Sequence, residues 1–406
     1  PVKLDRELQP ALDDYLISFV EQTEGHAGWP LNVFLTPEGY PLVGMTYLPR
    51  EHFQELLQKL QKMWEQEPHK LREMALSMHA QLQQHGMATT PATKLPDGDG
   101  LLERVIAAAL ASGDDLQGGF GHANRFPMAP QLRLLLEAQR LQPSPKLHAF
   151  IRLTLEQMAA KGLRDHLGGG FFRYTVDPGW ETPHYEKMLY TQALLASLYL
   201  RAADLLNEPR YREVAADTLD FVLQQMRGDG GAYIASLSAV DAEGNEGGSY
   251  LWSEAQLKRL LSGDQLRLAL QHWRFTFGEQ LPGQALPHAG EPLATMAKAH
   301  GVSLRQLGIS VEQIRAKLLN QRASRLPPRD LKQLAAWNGL LLTALSEAAQ
   351  QLRRDDYRQA AAELAAWLQT LWDGQRLARS GLEGTATGAE SLSDYAYVAQ
   401  GLKSWG

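Results

Sequence analysis

A mainly α fold, with a small α/β unit leading into a long array of helical hairpins, is what this sequence predicts, and three observations predict it. Residues 1–90 carry two short strand patterns and then a helical one. From Leu101 onward apolar residues recur at helical spacing almost throughout. Between several of those helices a glycine-rich turn runs into an aromatic: Gly118-Gly119-Phe120, Gly168-Gly169-Gly170-Phe171 and Gly230-Gly231-Ala232-Tyr233, about 50–60 residues apart. That period fits two helices plus loops. A hairpin that cannot bury its own face must stack on neighbours, so the array is an open solenoid or a closed α/α toroid. Long, residue-rich loops favour the toroid, because they can converge on one mouth.

Each element follows in order. Leu31–Leu35 is a short buried-strand pattern closed by the turn Thr36-Pro37-Glu38-Gly39, and Pro41–Met45 returns as its hairpin partner. Leu56, Leu57, Leu60, Met63 and Trp64 then mark one helix from Phe53 to about Gln84. The residues after it have linker composition, so the expected organisation is a domain at 1–86, a linker at 87–100 and an array at 101–406. Within the array the spacing predicts helices near 101–112, 130–142, 146–163, 184–205, 209–227, 253–263, 310–322, 331–354, 355–373 and 391–405.

Bulk properties narrow the class. A chain of 406 residues exceeds one ordinary core. Hydrophobic content of 44% and charged content of 21% are those of a globular protein. A net charge of -6 argues against a nucleic-acid or anionic-membrane partner. No apolar run approaches the roughly 18–20 residues of a bilayer span. The sequence has no cysteine, which rules out disulfides, thiolate metal sites and cysteine nucleophiles within it and is compatible with a cytoplasmic location. No P-loop, HExxH, GxSxG or dinucleotide fingerprint appears, and no His/Asp/Glu spacing demands a metal, so no cofactor is expected.

The densest chemistry lies in Asp165–Leu195, where Arg173, Asp177, His184, Glu186 and Lys187 fall close together. Thr182 and Pro183 read as an N-cap and first helical residue. That places His184 at a helix N-terminus, where the macrodipole favours neutral imidazole. Such a group suits a general base, or a structural bond to a loop carbonyl. With Tyr185, Met188, Leu189 and Gln192 on the buried stripe, Glu186 and Lys187 lie off the core side, either solvated or lining the mouth. Arg173, Tyr174 and Asp177 read as an extended segment with Arg173 and Asp177 on one face. Trp180 is then an exposed ring, and Arg, Asp and Trp together suit a sugar, whose hydroxyls need planar donors and acceptors; the alternative is an ion pair pinning a loop.

Other candidates are weaker. Asp177, Glu186, Asp241, Glu246, Asp330 and Asp394 are the carboxylates available for glycoside chemistry, which needs two of them roughly 5–10 Å apart. An epimerase would pair His184 with another base, His122 or His166 being weaker choices. The loop at Asp241 fails as a calcium loop and reads as a hairpin turn around Glu243-Gly244-Asn245. Asp330, Trp337 and Asn338 open a long helix, where Asn338 either satisfies backbone in the core or points into the cavity.

Several stretches together carry a resemblance: GWPLNVFLTPEGYPLVGMTYLP at 28–49, GGFGHANRFP at 118–127, GGGFFRYTVDPGWETPHYEKMLY at 168–190, DAEGNEGGSYLW at 241–252, DLKQLAAWNGL at 330–340 and DYAYVAQGL at 394–402. On these the chain resembles the thioredoxin-domain family typified by spermatogenesis-associated protein 20 and its bacterial YyaL-type relatives. The resemblance implies a mainly α chain, an (α/α)6-type toroid akin to six-hairpin glycosidases and N-acylglucosamine 2-epimerases, preceded by a partial thioredoxin-like α/β domain. It also implies a cis bond at Trp29-Pro30. Three departures accompany it. The family's Cys-x-x-Cys segment is expected before Val2, further barrel helices are expected after Gly406, and the family's Asp-Ala-Asp is here Ala239-Val240-Asp241.

The resulting expectation is a barrel that binds or converts a saccharide or polyol as an epimerase, isomerase or glycosidase-like enzyme. His184, Glu186 and Asp177 are its catalytic candidates. Arg173, Tyr174, Trp180, Lys187, Asp241, Asp330, Trp337 and Asn338 are its substrate-binding candidates. The alternative is a non-catalytic binding or redox-adaptor protein, acting through a protein partner of the thioredoxin-like unit.

Overall fold

The computed structural model describes residues 1–87, 98–275, 283–382 and 385–406, which form two compact units, Pro1–Pro96 and Asp97–Gly406. The linker expected at 87–100 falls mostly outside the described residues.

In the first unit, helix α1 (Pro10–Glu24) opens on a proline at its first position and stops at Gly25, whose φ of 76° is left-handed. Strands β1 (Asn32–Leu35) and β2 (Pro41–Met45) pair antiparallel with Val33 opposite Gly44. A Cβ on Gly44 would lie 2.4 Å from the Val20 side chain, so only glycine lets α1 sit this close to the hairpin. Phe19, Val20 and Leu82 form the core there. The Trp29-Pro30 bond is cis. The single helix expected from Phe53 to Gln84 is two, α2 (Arg50–Gln66) and α3 (Pro68–Met87), because Pro68 cannot continue the backbone hydrogen-bond ladder.

The second unit belongs to the α/α toroid class. Its helices are α4 (Gly98–Ser112), α5 (Ala129–Leu141), α6 (Pro145–Ala160), α7 (Leu189–Leu205), α8 (Arg210–Gln225), α9 (Glu254–Leu260), α10 (Gly263–His272), α11 (Leu293–His300), α12 (Leu304–Arg322), α13 (Ala335–Leu352), α14 (Asp355–Thr370) and α15 (Leu392–Trp405). Helices α7 and α13 are buried on nearly all sides, as their almost continuous apolar sequences require. They pack on each other, α5 flanks α7, and α15 flanks α13. Around them α6, α8 and α14 bury one face each. Helices α9–α12 form an excursion between α8 and α13, with a core of their own around Trp252, Trp273, Met296 and Ile314.

The glycine-rich turns are the structural repeat. Isolated bridges close equivalent loops at Gly113–Phe120, Arg164–Phe171, Arg227–Tyr233 and Trp372–Leu377. Gly170, with φ of 75°, passes so close to Phe221 that a Cβ would lie 2.5 Å from its ring. Each turn carries the chain from the end of a hairpin towards the next inner helix, and the segments between them build one loop cluster.

Candidate active site at the toroid mouth

The site is assembled by a short hairpin. Tyr174–Thr175 pairs antiparallel with Pro183–His184, placing Tyr174 opposite His184. Their rings stack with centroids 5.0 Å apart. Phe126 stacks on Tyr174 at 4.6 Å and is 45% exposed, so the ring series ends in solvent. Phe126 is delivered by the preceding residue, since Arg125 and Thr175 exchange both backbone hydrogen bonds at 2.9 Å. The Arg125 guanidinium is buried and donates to the Phe120 carbonyl at 2.8 Å and the Pro178 carbonyl at 3.1 Å.

Charge converges on the imidazole. Nδ1 of His184 lies 2.9 Å from Oε1 of Glu246, and its Nε2 lies 3.9 Å from Oε2 of Glu186. An ionised carboxylate can only accept, so Nδ1 carries the proton and Nε2 presents its lone pair when the ring is neutral. Arg173 donates to Glu186 at 2.8 Å. Burial works against the Arg173 charge, but Tyr190 and Glu186 outweigh it and raise its pKa. Tyr190 meets Trp337 edge-on at 4.9 Å. A contiguous set therefore runs from Trp337 through Tyr190, Arg173, Glu186, His184 and Tyr174 to Phe126, with Glu246 on the other imidazole nitrogen. Neither Phe126 nor Tyr190 is legible as a site residue from spacing. Asp330 is half-buried, binds the Lys332 amide at 3.2 Å, and sits on the small sheet that also holds Lys187–Met188.

Several expected side chains are committed elsewhere. Asp177 accepts from the backbone N–H of Glu181 at 3.1 Å and of Thr182 at 2.6 Å, closing its own hairpin. Trp180 is fully buried rather than exposed, and its Nε1 donates to the Gln117 carbonyl at 2.9 Å. Asp241 accepts from the N–H of Asn245 at 2.8 Å and of Glu243 at 3.1 Å, and those backbone bonds, Asn245 first, lower its pKa. Asn338 is fully buried and binds Tyr233 and Leu334. Asp394 is buried against Arg379 at 2.8 Å. Burial pushes His166 down to about 3, and it faces the Lys161 carbonyl at 3.0 Å, while His122 stands exposed.

Lys187 is the clearest correction. The helix begins at Leu189 instead of 184, because Lys187–Met188 pairs with Ser236–Leu237. His184 is thus a strand residue, and Lys187 points inward, with no exposed surface. Its Nζ donates to Asp165 Oδ2 and to the Gly169 carbonyl, both at 2.7 Å. Arg322 is the second cation on Asp165. Burial alone would raise the Asp165 pKa, but Arg322 and Lys187 hold it far below the usual carboxylate range. Burial pushes Lys187 down to about 8. This buried triad ties the second glycine-rich turn, through Gly169, to the Lys187–Met188 strand and to α12.

Fold and site define a two-unit protein, a thioredoxin-like unit and an α/α toroid whose mouth gathers titratable and aromatic side chains. The family model described as "Protein of unknown function, DUF255" (Thioredox_DsbH) matches residues 1–83. Human spermatogenesis-associated protein 20 is 30% identical over 451 aligned residues, covering 99% of this chain and 57% of the relative. The uncharacterized protein B0495.5 of Caenorhabditis elegans is 28% identical, covering 99% of this chain and 60% of the relative. The chain is similar to both relatives over nearly its whole length, and spans a little under two thirds of the length of each. Among solved structures it is similar to the cellobiose 2-epimerase of Spirochaeta thermophila, with 16% identity, a TM-score of 0.30, and coverage of 78% of this chain and 99% of that one. No helix among the described residues is long and apolar enough to cross a membrane.

Proposed function

We propose that the toroid mouth binds a saccharide or related polyol and that His184 moves a proton on it, in an epimerase, isomerase or glycosidase-like reaction. The observation that carries this reading is the pairing of His184 Nδ1 with Glu246 at 2.9 Å, which orients the ring and leaves Nε2 as the base beside Glu186. Phe126, backed by Tyr174, supplies an apolar ring surface for the C–H face of a sugar, and Arg173 with Glu186 supplies donors and acceptors for its hydroxyls. Glu186 is the second proton-transfer group.

The test is solvent exchange. Free aldoses and ketoses incubated with the protein in D2O are expected to gain deuterium at the carbon beside the carbonyl, and His184→Ala is expected to stop it. Release of a reducing end from a glycoside, lost in the same variant, supports the hydrolase branch. No exchange, no release and no binding across a neutral sugar panel reject the reading.

A further inference from the structure

His184 and Glu186 are too close to stand on opposite faces of one carbon. Nε2 of His184 lies 3.9 Å from Oε2 of Glu186. Two groups that flank a carbon, each roughly 3–3.5 Å from it, stand about 6–7 Å apart. A sugar carbon within reach of both groups therefore meets them on the same face.

The surroundings fix that arrangement. The His184 ring stacks on Tyr174 with their planes 25° apart, and Glu246 holds its Nδ1 at 2.9 Å, so the ring presents only its Nε2 edge to a ligand. Arg173 holds Glu186 at 2.8 Å and brings a cation to the same place. The side chains of His184 and Glu186 are 28% and 23% exposed, so both are open to a ligand. Asp330, another carboxylate, is met by the Lys332 N–H and ammonium, both at 3.2 Å.

The three candidate reactions make different demands. Inversion at C2 needs a base on one face and an acid on the other. Glycoside hydrolysis needs two carboxyl groups roughly 5–10 Å apart across the bond, and here Glu246 is engaged by the imidazole and Glu186 by Arg173. Aldose–ketose isomerisation needs one base that moves a proton from C2 to C1 on a single face. It also needs a neighbouring group that passes a proton between the two oxygens.

We infer that the mouth is built for aldose–ketose isomerisation of a free reducing sugar, an inference that rests on the mouth being a saccharide site. Neutral His184 takes the C2 proton on Nε2. The C2–H electron pair becomes the C1–C2 double bond, and the carbonyl electrons move onto O1, whose negative charge faces Arg173. Glu186 takes the proton from the C2 hydroxyl and gives it to O1. The electrons on O2 then form the new carbonyl, and the imidazolium returns its proton to C1. The substrate class is thus an aldose with a free carbonyl carbon and a free C2 hydroxyl. Glycosides lack the first, and 2-acylamino sugars lack the second.

The test incubates the whole chain in H2O with neutral aldoses carrying deuterium on C2 and reads the products by NMR. A ketose is expected as the first product, with part of the deuterium carried to C1. Glu186→Gln is expected to slow ketose formation at least tenfold while deuterium still leaves C2, a split that a merely structural role would not produce. His184→Gln is expected to stop both. A 2-epimer formed without ketose, or a ketose with no deuterium on C1 at the earliest times, overturns transfer on one face and leaves the saccharide reading standing. Action on glycosides alone does the same. No turnover and no binding of any sugar overturns both.

Discussion

Gln192 on α7 and Asn338 on α13 make the same three hydrogen bonds at the same position of successive inner helices. Gln192 accepts from the Phe171 N–H at 2.7 Å and donates to the carbonyls of Phe171 at 2.7 Å and Met188 at 3.1 Å. Asn338 accepts from the Tyr233 N–H at 2.9 Å and donates to the carbonyls of Tyr233 at 3.0 Å and Leu334 at 2.9 Å. Each buried amide thus substitutes for the sheet partner that a lone bridge residue lacks, and ties a glycine-rich turn to the next inner helix. Thr154 plays a simpler version of the part, accepting from the Gly119 N–H at 2.9 Å.

Removing either amide strands buried backbone groups. Gln192→Ala and Asn338→Ala are each expected to destabilise the toroid by roughly 2–4 kcal/mol, from two orphaned main-chain groups and a small void. Urea unfolding followed by tryptophan fluorescence reads this as a lower midpoint. A midpoint unchanged in both variants would show that water or side chains take over the bonds.

The buried triad sets a pH response. Asp165 has a folded pKa far below its ordinary value of 3.8, so its contribution to stability is present above that value and is lost as pH falls towards the folded one. Lys187 titrates near 8 in the folded chain against 10.5 ordinarily. The unfolded chain therefore holds more protons between those values, and this group's contribution to stability rises with pH there. Asp165→Asn leaves two buried cations unpaired and is expected to cost about 3–5 kcal/mol at pH 7. Its stability is also expected to fall less steeply than the wild type's below about pH 4. Denaturant midpoints across pH 3–7 check both; parallel curves would remove Asp165 from the acid response.

Asp177 closes the hairpin that carries His184, so its loss acts on structure. Asp177→Ala is expected to lower stability by about 1–3 kcal/mol, and Asp177→Asn by less, because one acceptor oxygen remains. Thermal melts of the two variants test this. Unchanged melting with complete loss of sugar turnover would move Asp177 into the chemistry.

Phe126 ends the ring series in solvent, and its truncation touches no buried polar group. Phe126→Ala is expected to weaken saccharide binding about tenfold, roughly 1.4 kcal/mol, with little change in melting temperature. Binding that is unaffected would place the sugar elsewhere in the mouth.

The sequence patterns that survive in the structure are those with their own local cause. The strands at Asn32–Leu35 and Pro41–Met45 and the turn between them lie where the short apolar run and the Thr36–Gly39 turn put them. The break at Pro68 was legible too, but the apolar stripe runs across it and hides it. The helix start at Leu189 was not legible, because the pairing of Lys187–Met188 with Ser236–Leu237 joins residues about fifty apart. At the site, local density correctly singles out the stretch around His184, yet a carboxylate that closes a turn and one that faces a ligand look alike in sequence. Asp177 and Asp241 each precede a tight turn, and that context was the available signal. Lys187 carried none: its burial depends on Asp165, Arg322 and the glycine-rich turn being in place. Glu246 and Phe126 reach His184 only through tertiary contacts.

The most direct test of the central claim is calorimetric titration of a panel of neutral mono- and disaccharides into wild type and His184→Ala. The account predicts that at least one sugar binds the wild type and loses tenfold or more in the variant, about 1.4 kcal/mol. A folded wild type that binds none of them, or a variant that binds the same sugar equally well, would contradict it.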